Sequence, residues 1–306
     1  MENTINEKQL EKMRGKAKKL DKIVAVLAVI SFPLYIWLFY IVMVPEEGLS
    51  ALLIAKLAFA AAVLSIGTFG LLWLIIVKHS YDKFNLAFKS KYVLQIISNI
   101  NGFGKLQYIP KGGFLWDDVR NAAVVACGDK RYYESEDLLL GEYENIKFKI
   151  SDVTTKKMVR GSKKNKVREI FSGQIICLYQ FDDLKKSSGY LQIFEKEFLS
   201  NMSGWKAEHE IHTENERFNN RFSIYASDEH NAYYILTPQR MEKIMSFADA
   251  VNGQVSLVFN DEKLFVAVKR DSMFDANIDE PVANQTTKIK EDTNFIQKAK
   301  EILVEQ

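Results

Sequence analysis

Only two cysteines, Cys127 and Cys177, occur in the 306 residues. That is too few for a disulfide framework or a cysteine-rich zinc site, and it fits a reducing compartment. An excess of charge of one sign is missing as well, since 41 basic side chains stand against 39 acidic ones. Nucleic-acid binders concentrate positive charge on one face, and a near-neutral total carries no such signal. The most informative absence is local. Residues 23–44 contain no charged side chain at all, and at about 1.5 Å per residue they cover the roughly 30 Å of a bilayer's hydrocarbon core. Residues 49–77 form a second, longer apolar run whose single charge, Lys56, lies near its outer end, where an ammonium can snorkel to the interface. A cleaved secretory signal does not fit: its apolar stretch runs about 7–15 residues and ends at small side chains. This run ends among Tyr35, Trp37, Phe39 and Tyr40 and leads into a second span.

The two runs are joined by Pro45-Glu46-Glu47-Gly48. Residues 1–22 hold seven basic side chains against four acids, and Lys78, Lys83, Lys89 and Lys91 follow the second run. Because Lys and Arg accumulate on the cytoplasmic side of a span, both termini are expected in the cytoplasm and the Pro-Glu-Glu-Gly turn outside. The expected localisation is thus a cell membrane, in a multi-pass arrangement. Ala51, Ala55, Ala58, Ala62 and Ser65 place small side chains on one face of the second span, and this face is expected to form the seam against the first. Residues 78–100 continue as a juxtamembrane helix, with Tyr81, Phe84, Phe88, Tyr92 and Ile96 at helical spacing. That aromatic stripe is expected against the soluble domain or in the headgroup zone.

The fold class is α+β: a two-helix transmembrane hairpin followed by a soluble domain of helices and antiparallel sheet. The divisions are a basic tail (1–22), the hairpin (23–77), the juxtamembrane helix (78–100), the soluble domain (103–270), and a linker with a terminal helix (271–306). Within the soluble domain, residues 116–126 read as a helix closed at Gly128. Strands are expected at 145–153, 169–181, 189–194, 221–225 and 232–236 from alternation and β-branched or aromatic content. Thr237-Pro238 reads as a cap followed by the first residue of a helix ending near Val251. A hairpin follows, 254–260 with 263–269.

Lys156, Lys157, Arg160, Lys163, Lys164, Lys166 and Arg168 fall on the connection between the first two strands, with no acid among them. These are the candidate lipid-binding or partner-binding residues. Interleaved aromatics are absent, which argues against nucleic acid. His209 and His212 lie among Glu208, Glu210 and Glu214, but their spacing is not that of a zincin and no third ligand follows, so they read as solvated surface and no metal is expected. Cys177 reads as a small core residue, and Cys127, at a helix C-terminal end, is poorly placed for a thiolate. No catalytic residue and no cofactor is indicated.

Phe222-Ser-Ile-Tyr-Ala-Ser-Asp228, Ala232-Tyr-Tyr-Ile-Leu-Thr-Pro238, Met241 and Phe171-Ser-Gly173 resemble the bacterial family known as domain of unknown function 3137. Two N-terminal spans ahead of an α+β domain match that family's layout, from about residue 20 to 275. Tyr233 departs from the pattern, which has a more polar residue there. The resemblance implies architecture and no activity. The expected function is a membrane-anchored cytoplasmic binding or scaffolding module that touches membrane lipid, a membrane-protein partner or a second copy of itself. The alternative is a membrane-tethered hydrolase or other enzyme.

Overall fold

The computed structural model describes residues 6–43, 51–161, 164–179, 190–199, 209–251, 253–260 and 263–304. The chain divides into two compact units, Met1–Tyr92 with Ala276–Gln285, and Val93–Asp275 with Thr286–Gln306.

In the first unit, helix α1 (Glu7–Met43) begins well before the apolar run, so the basic segment forms the opening turns of the same helix. Helix α2 (Ala51–Leu72) passes through a π-helical turn, Trp73–Val77, into α3 (Lys78–Ala87). Two helical stretches, Glu7–Ile41 and Ile54–Ser98, are long and apolar enough to cross a membrane. The seam between α1 and α2 runs through Leu57, Ala61 and Ser65, which are buried, while Ala58 and Ala62 are half-buried and Ala55 is exposed. Residues four apart form the helix ridge that meets its neighbour; this ridge shares Ser65 with the expected small-residue stripe and is offset by one position from Ala58 and Ala62. Ser31 Oγ donates to Ala28 O (2.7 Å) and reaches Ser65 Oγ at 3.2 Å, so both hydroxyls are satisfied between the helices.

The aromatic stripe packs on α1. Phe84 and Phe88 are both 1% exposed, with ring centroids 6.1 Å apart, and Phe88 lies 5.5 Å from Tyr92. Leu10 and Ala17, on the basic half of α1, are fully buried. The stretch 276–285, expected as linker, is docked within this unit. Arg14 Nη1 donates to Ile278 O (3.0 Å), Lys18 pairs with Asp279 (3.1 Å), and Glu11 accepts from the Val282 amide (3.1 Å). Asn85 Oδ1 accepts from the Ala276 amide (3.1 Å), and Val282 is fully buried. The Arg14 guanidinium beside Glu11 lowers that carboxyl's pKa.

The second unit opens with α4 (Leu94–Ser98), after a second π-helical turn at Phe88–Val93. Its elements then run β1 (Phe103–Ile109), α5 (Trp116–Ala122), β2 (Glu134–Tyr143), β3 (Ile146–Val159), β4 (Lys166–Tyr179), β5 (Tyr190–Glu195) and α6 (Lys196–Leu199). They continue with β6 (His209–Ile211), α7 (Glu216–Arg221), β7 (Phe222–Ala226), α8 (Glu229–Ile235), α9 (Pro238–Ala250), β8 (Gln254–Asn260), β9 (Lys263–Lys269) and α10 (Gln285–Glu301). Among the described residues, nine strands form one sheet in the order β1-β2-β3-β4-β9-β8-β5-β7-β6, and each of their pairings is antiparallel. Side chains alternate across the pleat, so Ile175, Cys177, Val258, Phe265, Ala267 and Phe194 share one apolar face with Val119, Val124 and Val125.

Helix α5 ends at Ala122, four residues earlier than expected, because Ala123 takes a left-handed conformation (φ 50°). The chain from Asn121 to Cys127 crosses the sheet face outside any ladder, and buried carbonyls need donors. The sheet supplies them. Tyr190 OH donates to Asn121 O (2.9 Å) and Ala122 O (2.5 Å), and Gln192 Nε2 donates to Ala123 O (3.3 Å). Ser256 Oγ donates to Val124 O (2.6 Å) and Thr155 Oγ1 to Ala126 O (2.7 Å).

Residues 232–236 are not a strand. Asp228 caps α8 by accepting from the His230 amide (3.0 Å), and Ala232 and Ile235 face inward while Tyr233 and Tyr234 face water, a helical period. The α9 cap is as expected: Thr237 Oγ1 accepts from the Arg240 amide (3.2 Å), and Pro238 opens the helix. Helices α9 and α10 meet through Phe247 and Phe295, 5.8 Å apart, and Arg240 donates to Ile302 O (3.2 Å).

Replacing Ser256 by alanine strands the Val124 carbonyl in the core, at a cost of about 1–3 kcal/mol. Denaturant unfolding of the full chain in mild detergent should show that loss; an unchanged midpoint would mean the crossing segment does not depend on the sheet's donors.

Candidate functional site: a basic two-stranded ribbon

Strand β2 accompanies β3 only as far as Thr154, and β9 accompanies β4 only from Gln174 onward. Beyond these limits β3 and β4 pair with each other alone, through Lys156↔Glu169, Lys157↔Arg168, Met158↔Val167 and Val159↔Lys166. The ribbon's root is fastened on the side that β2 has left. Asp129 donates its amide to Lys156 O (2.9 Å) and accepts from the Met158 amide through Oδ2 (2.8 Å), standing in for a strand residue. Gly128 precedes it at φ 59°, and a Cβ there would lie 2.3 Å from Lys156 O, so only glycine lets the chain approach this closely.

The sequence's basic cluster maps onto this ribbon with two qualifications. Lys156 is already paired with Glu134 (3.1 Å). Lys163 lies outside the described residues. Lys157, Arg160, Lys164, Lys166 and Arg168 make no ion pair or side-chain hydrogen bond among the described residues. Lys157 and Arg168 face each other directly, and like charges in that position cost about 0.2–1 kcal/mol. An anion between them would relieve that repulsion. The ribbon also exposes apolar surface: Val159 is 40% and Val167 47% accessible. Sequence reading located the bases but not the valines beside them, because the strands were expected to end before the tip.

The other candidates stay apart from the ribbon. His209 lies on edge strand β6 and His212 just after it, where the His212 carbonyl accepts from Tyr233 OH (3.2 Å). No cluster of three metal-ligating side chains exists among the described residues. A cavity of about 490 Å³ opens between the end of α9 and α10, lined by Arg270, Asp271, Lys288, Glu291, Asp292 and Lys298 among others. Arg270 there is committed to Asp292. Cys127 and Cys177 are buried in the apolar face, and burial raises both thiols to about 12.

Two outcomes follow. Gly128→Ala should break both Asp129 contacts and speed hydrogen exchange at the Met158 amide, leaving the β8–β9 ladder unaffected; equal protection in both proteins would contradict this. The two thiols should resist alkylation while the chain is folded. Since an unfolded thiol ionises near 9 and the folded ones near 12, their contribution to stability is complete below pH 9 and is lost as pH rises through that interval. Full alkylation at pH 8 without denaturant would refute the burial.

No curated protein and no solved structure matches the chain. A family profile does, beginning inside β4 and ending after α10. Phe171 to Gly173, the motif from Phe222 to Asp228, and Thr237-Pro238 with Met241 all lie within it, whereas the seven ribbon bases and both candidate spans precede it. Residues 169–305 match the family model described as Protein of unknown function (DUF3137).

Proposed function

We propose that this chain is a bacterial inner-membrane protein, anchored by α1 and α2 with both termini in the cytoplasm, whose sheet domain is a binding or scaffolding module. The ribbon is its contact element, engaging the anionic lipid surface or a membrane partner. One observation carries this reading: five bases without ion-pair or side-chain hydrogen-bond partners among the described residues lie on a ribbon that no other described strand flanks, in a chain that also holds two helices long and apolar enough to cross a bilayer. Each lysine or arginine near an anionic leaflet gains about 1 kcal/mol, so several acting together hold a tethered domain against it. A tethered enzyme would need convergent reactive groups, and the groups with strongly raised pKa, such as Cys127, Cys177 and Tyr179, do not line the cavity beside α10.

The contact is tested in cells with a photo-crosslinking residue in place of Arg160. Adducts with lipid, or with one membrane protein, should fall several-fold when Lys157, Lys164, Lys166 and Arg168 become glutamine. Adducts indifferent to that change would remove charge as the cause. Topology is tested separately: Lys164→Cys should be silent toward an impermeant thiol reagent in intact cells and react after lysis. Labelling before lysis would reverse the orientation.

A further inference from the structure

Register divides the ribbon's charge unequally between its two faces. Residues opposite each other in an antiparallel pair share a face, and neighbours along a strand alternate. Lys157 with Arg168 and Val159 with Lys166 therefore lie on one face, and Lys156 with Glu169 and Met158 with Val167 on the other. The first face holds three bases and no acid among the paired residues 157–159 and 166–168. On the second, Lys156 is paired with Glu134 (3.1 Å) and Glu169 is exposed, so the balance there is one negative charge. Arg160 and Lys164 follow the last pair, Val159↔Lys166, and the register assigns them to neither face.

We infer that the β3–β4 ribbon lies flat on the anionic leaflet, with Lys157, Lys166 and Arg168 on lipid phosphates and the Met158–Val167 face turned away from the membrane. This rests on the reading of the chain as a membrane-anchored module; it names the bilayer as that module's partner and one face as its site. A flat ribbon keeps all of its bases at the depth of the headgroups, and no charge has to enter hydrocarbon. Tethering by the spans makes the encounter intramolecular. A phosphate between Lys157 and Arg168 relieves the repulsion of that directly opposed pair. Lipid phosphates move in the plane and settle against bases of any spacing, whereas a folded partner would need acids at matching fixed positions. The same leaflet repels the second face, so attraction and repulsion turn the ribbon the same way.

Both native thiols are buried, which leaves a single engineered cysteine as the accessible labelling site. Val159→Cys and Val167→Cys, each carrying an NBD group, report the two faces in the full chain reconstituted into nanodiscs of phosphatidylcholine alone or with one-quarter phosphatidylglycerol. In the anionic discs, lipids nitroxide-labelled at the headgroup should quench the label at 159 at least two-fold more than the label at 167, and in neutral discs the two should be alike. Adding Lys166→Gln and Arg168→Gln should abolish the difference, whereas Lys156→Gln, on the other face, should preserve it. Stronger quenching at 167, equal quenching at both positions in the anionic discs, or loss of the difference with Lys156→Gln overturns the inference. So does a difference that persists in neutral discs, because lipid charge is then not its cause. If neither label is quenched while the crosslinks at residue 160 still depend on charge, flat docking fails and the module reading stands with a protein partner. If the crosslinks lose their charge dependence as well, both fail.

Discussion

The outer surface of α1 and α2 is apolar and largely uncovered among the described residues. Val29, Phe59 and Ile66 are 74%, 73% and 71% exposed, in a field of similarly exposed leucine, isoleucine and valine. A soluble protein rarely leaves apolar area on that scale uncovered. In a bilayer the same surface is stabilising, and the inward side need only satisfy a few polar groups, as Ser31 and Ser65 do for each other. The rest of the first unit follows from that solvent boundary. Ahead of the apolar run, α1 is amphipathic, buries Leu10 and Ala17, and uses Glu11, Arg14 and Lys18 to bind the returning segment 276–285. The chain therefore passes between the units at residues 92–93, 275–276 and 285–286.

In the second unit the equivalent constraint is the demand of buried backbone for partners. The central strands meet it in the ladder, and the crossing segment from Asn121 to Cys127 meets it with hydroxyl and amide side chains from the sheet. At the ribbon's root, where β2 departs, Asp129 takes over the next two backbone groups of β3. Past Met158 no further strand among the described residues flanks the pair. The ribbon is thus anchored at its base and free along its sides, with like charges set opposite each other where a sheet built only for stability would place complementary ones.

Legibility in the sequence tracked how directly each element's physics is written in neighbouring residues. The β8–β9 hairpin and the α9 cap were readable to within a residue, because alternation, turn and cap are all local signals. Strand β2 was not: Glu-Ser-Glu-Asp-Leu-Leu-Leu does not alternate, since a bulge at Asp137 (φ 59°) shifts its register. Helix α8 was mistaken for a strand because Tyr233, Tyr234 and Ile235 favour sheet, and the cap at Asp228 with burial of Ala232 and Ile235 overrode that preference. The docking of 276–285 depends on side chains more than 250 residues away, such as Arg14. The ribbon's bases were visible as a charge run; its two-sided valines needed the register.

The most direct measurement is hydrogen exchange across residues 157–168 of the full chain in nanodiscs with and without anionic lipid. If the ribbon is the element that engages a charged bilayer, its amides are slowed in the anionic discs and the effect disappears when Lys157, Lys166 and Arg168 are neutralised, while exchange in the β8–β9 ladder does not change. Identical ribbon exchange in both kinds of disc would contradict the account and leave the sheet domain without its proposed contact.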